Sequence, residues 1–263
     1  MIINSVLTKM YSEYHSPIRY YLNFEDAFID MNQLISKKIS IEHVGNQCKG
    51  CGLDLPIFRM GFCKNCFFTV PQANPSIIRP ELSTAHLGKA QRDLAWEMKF
   101  ELQPHIVYLA LSGGLKVGVT RDTQIPTRWI DQGASSAIIL AETQNRYEAG
   151  MIEVALKDRM QDKTHWQRML KNQNPNIDLV KIKMDVCNHL SEEHLEMYCT
   201  NDEIWEFNYP VQQYPLKVKS LNLAKQPKIE GVLAGIRGQY LYFEHGEVFN
   251  VRAHEGHVVE FVI

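Results

Sequence analysis

The sequence is short of several things, and each shortage closes off a class of function. None of its apolar runs approaches the ~20 residues that a membrane-spanning helix needs. The first residues, Met1–Tyr21, lack a basic stretch followed by an apolar one, so no secretory signal is expected and the cytoplasm is the expected compartment. Charge of one sign is scarce: the formal net charge is -2, so no global positive field draws the chain to nucleic acid. Any such site must be a local patch. There is no internal repeat and no low-complexity tract. What remains is an ordinary globular composition, 45% hydrophobic and 22% charged over 263 residues, enough for one large domain or two to three small ones.

Cysteine is sparse but ordered. Four of the six fall in two C-x-x-C units, Cys48-Lys-Gly-Cys51 and Cys63-Lys-Asn-Cys66, separated by eleven residues. Two residues between sulfurs let both thiolates reach one face of a tight turn. Two such knuckles supply the four ligands of a closed tetrahedral zinc site, which is structural because it leaves no position for substrate. Lys49, Arg59 and Lys64 lie in the same segment and suit a phosphate, or simply a solvated surface. Cys187 and Cys199 stand apart and read as free, half-buried thiols.

Periodicity organises the rest as an α+β chain. Residues 1–87 form a β-rich module with strand-like runs at Ser5–Met10, Ile18–Asn23 and Lys38–Val44 and a helical turn around Phe24–Ser36. The module contains the cysteine cluster and ends in a proline-punctuated linker from 67 to 87. Residues 88–200 begin with a short helix to 102. A hairpin follows, His105–Leu111 and Leu115–Thr120, turning at Ser112-Gly113-Gly114. Pro126 opens a helix that Gly133 closes, so Asp131-Gln132-Gly133-Ala134 reads as a helix end. Ala137–Ala141 is a strand, and Asn145 caps a helix running to about Met160. The order is β-β-α-β-α, with a helical extension beyond it interrupted near Pro175. Residues 201–263 turn β-rich and suggest a small antiparallel barrel, completed by N-terminal strands, in which at least one of Tyr240, Tyr242 and Phe243 is core.

Several bases follow the last helix of that core. From 157 to 183, Lys157, Arg159, Lys163, Arg168, Lys171, Lys181 and Lys183 face Asp158, Asp162 and Asp178, a modest basic stretch compatible with phosphate binding or with a solvated helix face. Lys163 and His165 are candidates to meet nucleic acid; Trp166 reads as a buried anchor, with base stacking as the alternative.

The stretch from Val107 to Lys157 resembles the GIY-YIG nuclease core, which is built in the same β-β-α-β-α order. Val107-Tyr108-Leu109 matches the first signature strand. Lys116-Val117-Gly118 matches the second, keeping its glycine and a threonine two residues on, but with Lys116 in place of the second tyrosine. Arg128 matches the helix arginine, and Glu153, in Glu148-Ala-Gly-Met-Ile-Glu153, matches the metal-binding glutamate, with Glu148 as its rival. The resemblance implies a phosphodiesterase site. Tyr108 lies near the attacking water, Arg128 clamps the phosphate, and Glu153 holds a hydrated Mg²⁺ or Mn²⁺. Lys116 orients the water or binds phosphate. More broadly, phrases such as Gly61-Phe-Cys-Lys-Asn-Cys66, Arg128-Trp-Ile-Asp-Gln-Gly-Ala134, Asn145-Arg-Tyr147 and Gly235-Ile-Arg-Gly-Gln-Tyr240 resemble an uncharacterised bacterial family, domain of unknown function 2797. The functions to be weighed are a metal-dependent nuclease or nuclease-derived protein on DNA or RNA, a non-catalytic nucleic-acid-binding adaptor, and a zinc-organised protein-interaction scaffold. Oligomeric state is not legible.

Overall fold

The structure, a computed structural model, describes residues 1–25, 27–157 and 166–263. Its contacts divide the chain into two units: residues 1–69, 130–133 and 207–263 form the first, and residues 70–129 and 134–206 form the second.

The first unit opens with β1 (Ile2–Val6), β2 (Tyr11–Glu13), β3 (Arg19–Phe24), β4 (Ala27–Asp30) and β5 (Lys38–Asn46). Along β3, Tyr20, Leu22 and Phe24 are buried and the residues between them are not, the period of two that makes a half-buried strand. The stretch expected to turn helically after Phe24 instead supplies β4, which pairs with β3 and stacks Phe28 on Tyr21, ring centroids 4.8 Å apart. Only Met31–Leu34 is helical, one 3₁₀ turn capped by the Asp30 carboxylate. Cross-strand pairing has outweighed local propensity there. Next come β6 (Ile57–Arg59), β7 (Phe62–Cys63) and α1 (Lys64–Thr69).

The second unit begins where the sequence suggested a proline-rich linker. Residues 71–87 are a chain of single helical turns: Pro71–Ala73, α2 (Pro75–Ile78), Pro80–Leu82 and Ala85–Leu87. Three of the four have proline at their first helical position, where its missing N–H is no loss and its fixed φ suits the turn. The prolines therefore start helical turns as well as end them. These turns are held to α3 (Leu94–Glu101), which Asp93 caps. Two buried carboxylates one turn apart do the holding. Glu97 accepts from Asn74 Nδ2 at 2.6 Å and from the backbone N–H groups of Gln91, Arg92 and Asp93. Glu101 accepts from the hydroxyls of Ser76 and Ser83 at 2.6 and 2.5 Å. Burial alone would push the Glu97 carboxyl up; its donors outweigh burial and hold it below the usual carboxylate range.

The expected hairpin follows as β8 (His105–Leu111) and β9 (Leu115–Arg121), then α4 (Thr127–Asp131), β10 (Ser136–Thr143) and α5 (Arg146–Lys157). α6 (Trp166–Leu170), α7 (Leu179–Cys187), α8 (Glu192–Leu195) and β11 (Ile204–Glu206) complete the unit. Its sheet is antiparallel in the order β11-β10-β8-β9. One face, with Val107, Leu109, Val117, Val119 and Ile138, packs on Ala149, Ile152 and Leu156 of α5 and on Leu179 and Val186 of α7. The other carries Tyr108, whose ring meets Trp129 edge-on at 5.8 Å. β8 is thus covered on both sides and all seven of its residues are buried, which is why it reads as an unbroken apolar run. α5 starts with a reciprocal cap: Glu148 N–H donates to Asn145 Oδ1 at 3.0 Å, and the Glu148 carboxylate accepts from Asn145 Nδ2 and Gln144 N–H.

The chain then returns to the first unit with β12 (Lys219–Leu221), β13 (Lys228–Arg237), β14 (Tyr240–Phe243), β15 (Glu247–Asn250) and β16 (His257–Val262). Their pairing brings strands from 1–87 and from 201–263 together. Both ends share one seven-stranded sheet, β1-β16-β5-β13-β14-β15-β12, with β1 and β12 at its edges. Strand pairing is a non-local choice, so the sequence identified the strands without identifying their partners. Tyr242 and Phe243 are buried in this unit, and Tyr240 is half-buried.

Candidate metal centre and charged cluster

The cysteine knuckles belong to the first unit. β6 and β7 form a hairpin turning at Met60-Gly61, both at positive φ (55° and 79°), the backbone of the tight two-residue turns that favour glycine. The turn places Cys63 at the end of β7 and Cys66 in the first turn of α1. Cys48 N–H donates to Leu53 O and Gly52 N–H to Cys48 O, which curls the first knuckle around its own sulfurs. The four Sγ atoms lie within 4.8 Å of one another, and Cys48, Cys63 and Cys66 are buried. A tetrahedral zinc with Zn–S bonds of about 2.3 Å puts its sulfurs about 3.8 Å apart, so the set needs only a small contraction to close on the ion. The donors also fit. Burial pushes the Cys48 thiol up, but the N–H groups of Cys63, Cys51 and Gly50 outweigh it and bring it down to about 6; Cys63 N–H lies 3.2 Å from the sulfur and Gly50 N–H 3.4 Å. Burial and the neighbouring sulfurs push Cys66 up to about 12. A bound divalent ion favours the ionised form of all four thiols together. The four cysteines can hold a structural metal such as zinc.

A second cluster surrounds Glu153 in the second unit. Glu153 is 9% exposed on α5 and pairs with Lys157 Nζ at 3.3 Å, one turn on. Burial raises its pKa above the ordinary value and the Glu81 charge adds to this, while the Lys157 and Lys116 ammonium groups pull it down. Arg146, at the start of α5, is buried and donates to the carbonyls of Ser76 and Ile77 at 2.7 and 2.8 Å. Burial takes it down to about 10, opposed by Glu101 and Glu153 and reinforced by Arg128 and Arg121. Lys116 and Arg146 therefore interact with Glu153, and Arg128 and Arg121 with Arg146, while Glu81 and Glu101 are further carboxylates in the same fields. Glu148 is committed to the helix cap and is no substitute ligand.

Tyr108 is fully buried. It sits directly across the ladder from Gly118, and its ring lies over that glycine. Gly118 is therefore the space the tyrosine occupies. Sequence reasoning missed Arg146, which appeared only as the middle of Asn145-Arg-Tyr147, and His105. The His105 ring is fully buried, with Nδ1 2.7 Å from Gln103 O and Nε2 without a hydrogen-bond partner among the described residues. Burial, with Arg146 and Arg121 adding to it, takes its pKa down to about 4. Neither residue belongs to a recognisable spacing pattern; only burial marks them.

Three of the described bases of the 157–183 stretch are paired with carboxylates. Lys183 is buried and pairs with Asp202 at 3.0 Å, Lys181 approaches its own helix cap Asp178 at 3.9 Å, and Lys157 pairs with Glu153. Trp166, expected to be a buried anchor, is 37% exposed, because the five-residue α6 turns only Met169 and Leu170 inward. Arg159, Lys163 and His165 lie outside the described residues. Cys187 and Cys199 are free and half-buried. No described helix is long and apolar enough to cross a membrane.

No curated protein and no solved structure matches the chain. A family model described as a protein of unknown function (DUF2797) matches residues 36–259. That span takes in the whole second unit and most of the first, with the cysteine tetrad and Glu153, and the chain belongs to the DUF2797 family.

Proposed function

We propose that the second unit is a GIY-YIG-like core that binds nucleic-acid phosphodiesters and cleaves them with a divalent ion, while zinc on the four cysteines holds the first unit's knuckle. The observation that carries this reading is that the buried Glu153 interacts with Lys116 and Arg146, and Arg146 with Arg128, on a β-β-α-β-α frame. Cations of this density attract a phosphate, and a phosphate among them offsets their mutual repulsion. One carboxylate suits Mg²⁺ or Mn²⁺, ions that keep much of their water, and substrate phosphate would complete the ligand set. Such an ion would supply Lewis-acid stabilisation of the developing charge. Arg128 clamps the phosphate, and Lys116 binds it or orients the attacking water.

A specific observation favours the second reading, a non-catalytic adaptor. Tyr108, which the nuclease resemblance puts beside the water, is enclosed against Trp129, and Glu153 is paired to Lys157. Cleavage assays decide. Labelled DNA and RNA, single- and double-stranded, are incubated with Mg²⁺ or Mn²⁺ and with chelator. Metal-dependent cleavage lost in Glu153→Gln and reduced about 10²–10³-fold in Arg128→Ala supports the nuclease. Salt-sensitive binding lost in Arg128→Ala, with no cleavage of any substrate, supports the adaptor. No binding by the wild type leaves the zinc-organised scaffold.

A further inference from the structure

The knuckle carries more aromatic surface than its fold uses. Phe62 is buried beside the cysteines and serves the local core. Three other phenylalanines of the same segment do not. Phe58 is 43% exposed, Phe68 is 57% exposed, and Phe67 is half-buried. They touch one another: Phe58–Phe67 at 5.3 Å, Phe67–Phe68 at 5.2 Å and Phe58–Phe68 at 5.9 Å between ring centroids. The first two contacts are edge-to-face, and a ring that gives its edge keeps its faces. Scattered exposed apolar residues need no explanation, but a contiguous exposed cluster marks a contact surface.

The charge around the cluster selects the partner. The Arg59 guanidinium lies 5.4 Å from the centre of the Phe58 ring, and the exposed Lys64 begins the helix that carries Phe67 and Phe68. Between Cys48 and Thr69 the one carboxylate is Asp54, which accepts a hydrogen bond from Asn46 N–H. Flat aromatic faces edged by cations match a polyanion with exposed flat rings: unpaired bases stack on the phenylalanines while Arg59 and Lys64 meet the phosphates. A duplex hides its base faces and fits less well. We infer that Phe58, Phe67 and Phe68, with Arg59 and Lys64, form a stacking platform for single-stranded nucleic acid. The platform shares with the proposed function only the premise that the ligand is nucleic acid; its residues are different and it needs no cleavage.

The test uses the full zinc-loaded chain and fluorescence anisotropy with labelled oligo(dT) and oligo(U) of about 15 nucleotides, a length within the span of such sites. Each variant is first checked for zinc content and thermal melting, so that a collapsed knuckle is not scored as lost binding. Phe58→Ala and Phe68→Ala should each weaken binding about tenfold, whereas Phe68→Trp should retain it. Arg59→Gln should lower the salt dependence by roughly one unit of slope. A duplex of the same length should bind more weakly and ignore the phenylalanine changes. Wild-type protein that binds neither oligonucleotide at low salt overturns the platform, as does binding that the phenylalanine variants leave intact. If that intact binding is lost in Arg128→Ala, the platform fails while the Glu153 cluster stands. If binding depends on the phenylalanines and ignores Arg128→Ala, the platform stands and the Glu153 cluster loses its ligand.

Discussion

Replacing Gly118 by alanine tests the arrangement that fills the inner face of the β8–β9 hairpin. A methyl group there would lie 2.6 Å from Tyr108 Oη, 2.7 Å from Cζ and 3.2 Å from Cε2. Ordinary contact begins near 3.5 Å, so the ring would have to move by about 1 Å. It has nowhere easy to go, since Tyr108 and Trp129 are both fully buried and in contact. Overpacking of this kind costs about 1–3 kcal/mol, while exchanging glycine for alanine in a strand returns about 0.5–1 kcal/mol of backbone entropy. A net loss of about 1–2 kcal/mol is expected. All four tryptophans, Trp96, Trp129, Trp166 and Trp205, fall in the second unit, so tryptophan fluorescence in a urea titration reads that unit alone. The ring atoms in the way lie beyond Cδ, and leucine lacks them. In a Tyr108→Leu background, Gly118→Ala should therefore be neutral or stabilising. An equal cost in both backgrounds would refute the claim that the tyrosine ring is what requires glycine.

Further outcomes follow from other sites. Purified protein should contain about one zinc per chain by metal analysis, and Cys63→Ser or chelation should unfold the knuckle, because structural zinc contributes of order 10 kcal/mol in small modules. Protection of the Cys48–Thr69 amides in hydrogen exchange should vanish while the second unit's persists. His105 takes up a proton near pH 6.5 when unfolded but only near pH 4 when folded. The unfolded state therefore binds more protons across that window, and this residue alone should remove about 3 kcal/mol of stability between pH 6.5 and 4. Urea midpoints of the second unit should fall more steeply on acidification in the wild type than in His105→Gln; parallel slopes would dismiss the buried imidazole. Glu101→Gln leaves one hydroxyl facing an amide N–H₂ in place of a carboxylate oxygen, and should destabilise the second unit by about 1–3 kcal/mol.

The second unit was the more legible half. The limits of β8, β9 and β10, the cap at Asn145 and the stop at Gly133 all rest on local chemistry, and local chemistry is visible in a linear string. The cysteine tetrad was legible for the same reason, since two short spacings bring its ligands together. Three things were not. Proline was read as an interruption at 71, 75 and 80 although it also begins helical turns, and the difference lies in Glu97 and Glu101, whose partners are up to 25 residues away. Phe28 lies on a stretch whose spacing suits a helix until β3 is beside it. N-terminal strands were expected to complete the C-terminal module, but the particular pairings, such as Ile3 with Phe261, lie in no window of sequence. At the candidate site, Tyr108 and Gly118 were matched as two signature residues; their direct opposition across the ladder made them one packing unit.

The strand order of the first unit also sets a schedule for the nascent chain. β16 is synthesised after every other strand of its sheet, yet it lies between β1 and β5. Its partners Ile2–Val6 and Ser40–Asn46 leave the ribosome more than two hundred residues before it does. Until then they present unpaired N–H and C=O groups, the kind of edge that recruits foreign strands. The second unit and the zinc knuckle draw on nearby residues and can form during that interval. A release delayed near the C-terminus, or a nonsense codon before His257, would therefore leave a chain with its second unit built and two sticky strands open, a species for chaperones rather than an inert fragment.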